Sequence, residues 1–201
     1  MIEKKAVTEF DIHELIAKRW SGRAYDPSRP VDNQLIGQLI EAARWAPSCF
    51  GDEPWRFVIC NKSTNAEAWH KAFECLVEGN QAWAKDAEVL VLICCNTVLT
   101  TNGKPNAYGK YDSGAAMMSL SIQATELGLM VHQMGGYKAD KAREVFSVPE
   151  QFDTVAMATI GYQLPADKLP EDVKERELAE RSRAEMSTHF FADTWGQSFD
   201  A

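Results

Sequence analysis

Two groups of arginine stand near opposite ends of the chain, Arg19-Trp20-Ser21-Gly22-Arg23 and Arg181-Ser182-Arg183. Guanidinium groups are planar, permanently charged forks of donors that suit a phosphate, and a serine hydroxyl adds one more hydrogen bond. If a helix unwinds at Lys18, alternate residues of the extended segment that follows point the same way. Arg19, Ser21 and Arg23 would then face one ligand. The same residues also read as a basic helix end meeting the helix dipole, and surface arginines are common. Two glycines, Gly135-Gly136, follow the apolar run that ends at Met134. They permit unusual φ and close backbone approach to a flat ligand, although a bare Gly-Gly is usually only a turn. Asn80 carries an amide that can both donate and accept, or it caps a helix after Gly79. Cys49 lies in a Pro-Ser-Cys loop, where a nucleophile would need a base and an oxyanion site. The four histidines, His13, His70, His132 and His189, are scattered, and no motif pairs one with it. A cysteine hydrolase is therefore not indicated.

The composition frames these sites. The chain has 201 residues, a formal net charge of −8, 45% hydrophobic and 25% charged residues. That is one ordinary soluble domain, here 1–201, large enough for a core. Acidity argues against a nucleic-acid partner, because no broad basic face is expected. The longest apolar run, Val89 to Cys95, suits a buried strand and not a membrane span. The N-terminus has charge without an apolar stretch behind it, so no signal peptide is expected. Five cysteines, without CxxC or Cys/His ligand spacing, point to a reducing cytoplasm and no metal. No GxGxxG links a strand to a helix, so a built-in Rossmann site is not indicated.

The elements that must position the sites follow from periodicity. Thr8–Lys18 reads as a helix with Thr8 as N-cap. Asp32 caps a second helix bearing Leu35, Ile36, Leu39, Ile40 and Ala43 on one face, and Pro47 stops it. Trp55–Cys60 is a short strand, Ala66–Glu78 a helix, Ala87–Asn96 a buried strand. Thr97–Ala107 is a polar loop. Tyr111–Leu127 is a long helix, apolar on several sides, which suggests a subunit interface; Gly128 closes it. Leu129–Met134 and Thr154–Tyr162 are strands, with a short helix over Asp140–Phe146 between them. The charged tail from Leu164 onward, 164–201, reads as an arm that embraces a partner subunit. Helices and strands mix without a βαβ rhythm, so the fold class is α+β.

Taken together, Arg-x-Ser-x-Arg at 19–23, Pro47-Ser48-Cys49 with Pro54-Trp55-x-Phe57, Asn80-Gln81-x-Trp83-Ala84, Met134-Gly135-Gly136 and Arg181-x-Arg183 resemble the nitroreductase family. The resemblance spans nearly the whole chain. It implies a mostly antiparallel central sheet flanked by helices, in a homodimer with a swapped C-terminal arm. It implies FMN as cofactor, with NADH or NADPH as transient hydride donor to flavin N5. The reduced flavin then serves a nitroaromatic, quinone or similar electron-poor acceptor in ping-pong order. By the same resemblance Arg19, Trp20, Ser21, Arg181 and Arg183 hold the phosphate end. Arg23 reaches the pyrimidine edge, where a cation stabilises charge at N1–O2. Asn80 meets the flavin's polar edge, and Met134, Gly135 and Gly136 lie along N5. Pro47, Ser48 and Cys49 contact the flavin held mainly by the other subunit. Gly51 and Glu53 depart from the family's asparagine and glutamine. A flavin-binding or sensing module without turnover, or a specialised flavin-fragmenting or dehalogenating member, is the alternative on the same scaffold.

Overall fold

The computed structural model describes residues 2–199, and the fold is built on one sheet. Strands β1 (Trp55–Asn61), β2 (Val89–Asn96), β3 (Met130–Met134) and β4 (Phe152–Gly161) pair in the order β1-β2-β4-β3. Every pairing is antiparallel. The apolar run in β2 explains its central place: all eight of its residues are buried. Its side chains alternate between two cores, as the two-residue period of a strand requires. Leu90, Leu92 and Cys94 point into one, and Val89, Val91 and Ile93 into the other.

Helices cover both faces. On one lie α2 (Asn33–Arg44) and α5 (Gly109–Glu126), which contribute Ile36, Leu39, Ala43, Ala116, Met117 and Leu120. On the other lie α3 (Ala66–Glu74), α4 (Glu78–Ala84) and α6 (Ala139–Val145), with Trp69, Ala72, Trp83 and Ala142. Asp32 caps α2 as expected, accepting from the Gln34 N–H at 2.6 Å. Gly128, at φ +71°, ends α5 in the left-handed conformation that favours glycine. Tyr111 and Met118 of α5 remain exposed, so the helix is not covered on all the sides its sequence makes apolar.

Two expected helices differ. Over Thr8–Lys18 only α1 (Glu14–Lys18) forms, and its cap is His13 rather than Thr8. Phe10 and Ile12 stay exposed, so their spacing meets no core surface that would drive a helix. Ala66–Glu78 breaks into α3 and α4. The break arises because Leu76 bridges to Tyr137 and the Val77 N–H donates to the Gly136 carbonyl at 3.2 Å. Asn80 is consequently inside α4, not a C-cap.

The tail returns to its own N-terminal segment. The Leu164 N–H donates to the Ala24 carbonyl at 3.0 Å, and Leu169 packs with Ile2 and Ala24. Helix α7 (Glu171–Leu178) follows and delivers the second arginine group.

Candidate functional site

Helix α1 stops at Lys18, and Arg19 already has extended geometry at φ −59° and ψ 125°. The unwinding expected from sequence therefore occurs. Arg19 Nη1 donates to Ser21 Oγ at 3.2 Å, so the two share one side of the segment. Gly22 lies on the other side, against the fold. A Cβ there would sit 2.3 Å from Met130 Sδ, 2.9 Å from Trp20 and 3.1 Å from Glu177 Oε2. Only glycine lets the segment lie this close to the sheet.

The C-terminal arginines come to the same place. Arg181 donates from Nη1 to the Arg19 carbonyl at 2.7 Å and from Nη2 to the Ala17 carbonyl. The result is a cavity of about 300 Å³ lined by Arg19, Trp20, Ser21, Arg23, Arg181 and Arg183, together with Lys4, Arg176 and Glu177. All four predicted arginines, Trp20 and Ser21 are thus brought together. Lys4, Arg176 and Glu177 escaped the sequence reading. Their neighbours lie far away in the chain, and charged residues of a polar tail carry no local sign of burial.

The cavity has excess positive charge. Burial, and then Arg183, hold the Arg19 guanidinium below its usual pKa. Burial, followed by Arg19 and Arg183, does the same to Arg181. Lys4 is lowered by burial first; Glu177 opposes that shift and Arg181 adds to it. Glu177, 2% exposed, is the one carboxylate of the lining, and both its oxygens accept from the Arg23 backbone N–H at 3.1 Å. Among the described residues, the buried Nε atoms of Arg23 and Arg181 have no partner. The orphaned Arg181 Nε and the crowded like charges fit a bound phosphate, which would satisfy the first and neutralise the second.

A polar edge continues from this cavity. Arg23 lies over the Trp83 ring at 5.8 Å, and Trp83 meets the His132 ring at 4.6 Å. One helical turn before Trp83, Asn80 Nδ2 donates to the Gly136 carbonyl at 2.9 Å. A Cβ on Gly136 would stand 2.8 Å from that nitrogen, whereas one on Gly135 would meet nothing within 4 Å. Asn80 and the Met134-Gly135-Gly136 turn are therefore adjacent, and the turn is open to solvent at Gly135. Met134 itself is buried in the core. Trp83 and His132 join the two halves of this surface. The sequence pattern includes Trp83, but the contact with His132 is visible only in three dimensions.

Pro47, Ser48 and Cys49 lie elsewhere. They precede β1 at the end of the sheet where Trp55 pairs with Cys95, whereas Gly22 abuts Met130 at the opposite end. Their loop is fixed locally. The Cys49 N–H donates to Asp112 Oδ2, and the Glu53 N–H to Ser48 Oγ, both at 3.0 Å. Phe50 and Glu53 take positive φ of 56° and 47° in this tight bend. One chain therefore does not bring this loop to the arginine cavity. Cys49 is half-buried, and the other four cysteines are buried free thiols. Among the described residues there is no group of three or more potential metal ligands, and no helix is long and apolar enough to cross a membrane.

The class is an antiparallel α+β fold with a basic cavity at one end of the sheet, against the N-terminal segment. The chain matches the nitroreductase family over residues 16–162 and belongs to it. Among its relatives is a Methanothermobacter thermautotrophicus protein provisionally named NADH dehydrogenase/NAD(P)H nitroreductase. The two are 30% identical over 160 residues, covering 78% of this chain and 79% of the relative. The major NAD(P)H-flavin oxidoreductase of Aliivibrio fischeri is 28% identical over 81 residues, 40% of this chain and 37% of that one. A crystal structure of an oxidoreductase containing FMN superposes with a TM-score of 0.88 at 34% identity, covering 98% of this chain and 100% of the other. A nitroreductase family protein from Clostridium difficile 630 shares the fold, with a TM-score of 0.69 at 22% identity and coverage of 92% and 99%.

Proposed function

We propose that the protein is an FMN-dependent NAD(P)H oxidoreductase. The observation that carries this is the convergence of Arg19, Arg23, Arg181 and Arg183 on one cavity, which Arg23 links through Trp83 to the helix that holds the Gly-Gly turn. When bound, FMN would supply the redox chemistry: hydride acceptance from NAD(P)H and reduction of a nitroaromatic, quinone or other electron-poor acceptor in ping-pong order. The chain's own residues bind and orient. Arg19, Ser21, Arg181 and Arg183 hold the phosphate, and Trp20 walls that end. Arg23 would supply a fixed cation for the flavin's N1–O2 edge, where charge develops. Asn80 lines the polar edge, and the open backbone at Gly135 leaves room for donor and acceptor to stack in turn. The relatives' names for NAD(P)H and flavin, and the FMN of the structural neighbour, point the same way.

The working unit in this reading is a homodimer; of the arm expected over 164–201, the part up to Arg181 packs on its own N-terminal segment, so only the end of the tail beyond it would reach the partner. The remote Pro47-Ser48-Cys49 loop would then serve the partner's flavin. Exposed Trp45, Phe50 and Tyr111, around that loop and on α5, support a covered surface there. The five free thiols suit a reducing compartment such as the cytoplasm.

Titrating the flavin-free protein with FMN and with riboflavin tests the assignment. The arginine cavity predicts FMN binding at least about a hundredfold tighter, since riboflavin lacks the phosphate. Equal affinities would remove the phosphate role.

A further inference from the structure

One peptide unit in the site is gripped from both sides. Its carbonyl is that of Gly22, which accepts from His132 Nδ1 at 3.0 Å. Its N–H is that of Arg23, which donates to both carboxylate oxygens of Glu177 at 3.1 Å. A carbonyl only accepts, so His132 Nδ1 carries the proton in this contact. The plane of this peptide sets ψ of Gly22 and φ of Arg23, and so the direction in which Arg23 leaves the backbone. Glycine at 22 has the widest choice of ψ, so an external grip has the most to restrict.

The two grips come from different parts of the chain. His132 is in the middle of β3, two residues before Met134, and its ring is held against Trp83 of α4. Glu177 is in the last turn of α7, four residues before Arg181. Glu177 is fully enclosed, although it lies in a tail whose charged residues are otherwise mostly exposed. A buried carboxylate persists where it is hydrogen-bonded, and here it faces the Arg23 N–H and, at 3.7 Å, Arg176 Nε.

We infer that His132 and Glu177 are positioning residues that clamp the Gly22–Arg23 peptide and thereby aim the Arg23 guanidinium. The clamp connects the phosphate end of the cavity, through α7, to the cation at the opposite edge. Seating of the tail arginines and the orientation of Arg23 are thus coupled through one peptide plane. This inference rests on the flavin assignment above.

The test is the reduction equilibrium of protein-bound FMN, set against a reference dye, in a double-mutant cycle. His132→Phe keeps a ring on Trp83 and removes the donor. It is expected to shift the bound flavin about tenfold toward the oxidised form. His132→Asn, whose amide nitrogen can take the place of Nδ1, is expected to restore most of that shift. Glu177→Gln, which keeps an acceptor for the Arg23 N–H, is expected to stay near the parent. In an Arg23→Met background His132→Phe should cause no further shift, because there is no cation left to aim. An undiminished shift in that background, or His132→Phe equal to the parent, overturns the clamp while leaving the flavin assignment intact. Failure of the parent protein to bind FMN overturns the flavin assignment itself, and the clamp with it. Should His132→Phe not fold, His132→Leu, which also lacks the donor, carries the cycle in the two backgrounds: an equal shift in both overturns the clamp, and a shift confined to the Arg23 background supports it.

Discussion

Arg181 donates to the backbone carbonyl of Arg19 across a sequence separation of 162 residues, with an N···O distance of 2.7 Å. The two ends of the chain are thereby fastened at one corner of the sheet, with their positive charges side by side. No described carboxylate neutralises this corner beyond Glu177, which is already engaged with Arg23. Several properties of the protein should trace to this contact.

Loss of one arginine should separate binding from stability. Arg19→Ala or Arg183→Ala should weaken FMN binding by about 1.5–3 kcal/mol, roughly ten- to a hundredfold. Arg183 lies among the causes that depress Arg19, so removing it relieves repulsion in the flavin-free protein. Its melting temperature without flavin should therefore be unchanged or higher. Calorimetry with and without FMN measures both, and unaltered FMN affinity in both variants would displace the phosphate site.

Neighbouring glycines should respond differently. Gly136→Ala drives a Cβ to 2.8 Å from Asn80 Nδ2 and 3.0 Å from Val77, so Asn80 must move and flavin affinity should fall. Gly135→Ala meets open space and should leave affinity and melting temperature near the parent. Gly22→Ala, facing Met130, Trp20 and Glu177, should cost about 1–3 kcal/mol of stability in denaturant unfolding.

Acid should weaken the fold through His132. Its pKa is held below 6.5 by burial first, with Arg23 acting in the same direction, while the Gly22 and Ser21 carbonyls and Glu177 oppose. A depressed folded pKa means that the unfolded chain takes up the proton more readily. The contribution is complete above about pH 6.5 and is lost as pH falls through the lower folded value. Unfolding free energies measured from pH 7.5 to 5 should show this slope, and His132→Asn should lose that component.

The tail has a separate test. A chain ending at Arg176 lacks Glu177, Arg181 and Arg183, and the arm reading predicts that it loses dimerisation and flavin together. Sedimentation and the flavin absorbance of the purified protein report each. A truncated protein that stays dimeric and yellow would refute the embracing arm.

Features encoded by short-range pattern were legible in the sequence. The apolar run 89–95 became the central strand, Asp32 capped α2, and the chain unwound at Lys18 so that Arg19 and Ser21 share a side. The four arginines were found because clustered cations stand out against an acidic chain. What escaped depends on distant contacts. The break between α3 and α4 follows from Leu76 pairing with Tyr137, and the helix expected from Thr8 fails for want of a surface under Phe10 and Ile12. Glu177 could not be recognised because burial of a charge in a polar tail is decided by Arg23, more than 150 residues away. His132 carries no motif; its meaning comes from Gly22 and Trp83.

The visible spectrum of the purified protein with FMN, recorded before and after anaerobic NADH or NADPH, decides whether the bound flavin turns over. An oxidoreductase of this kind gives a flavin spectrum that bleaches rapidly with one or both donors and returns on addition of a quinone or nitroaromatic. Flavin that stays oxidised with both donors would reduce the protein to a binding module. A spectrum with no bound flavin at all would rule out the flavin assignment and return the arginine cavity to unassigned surface charge.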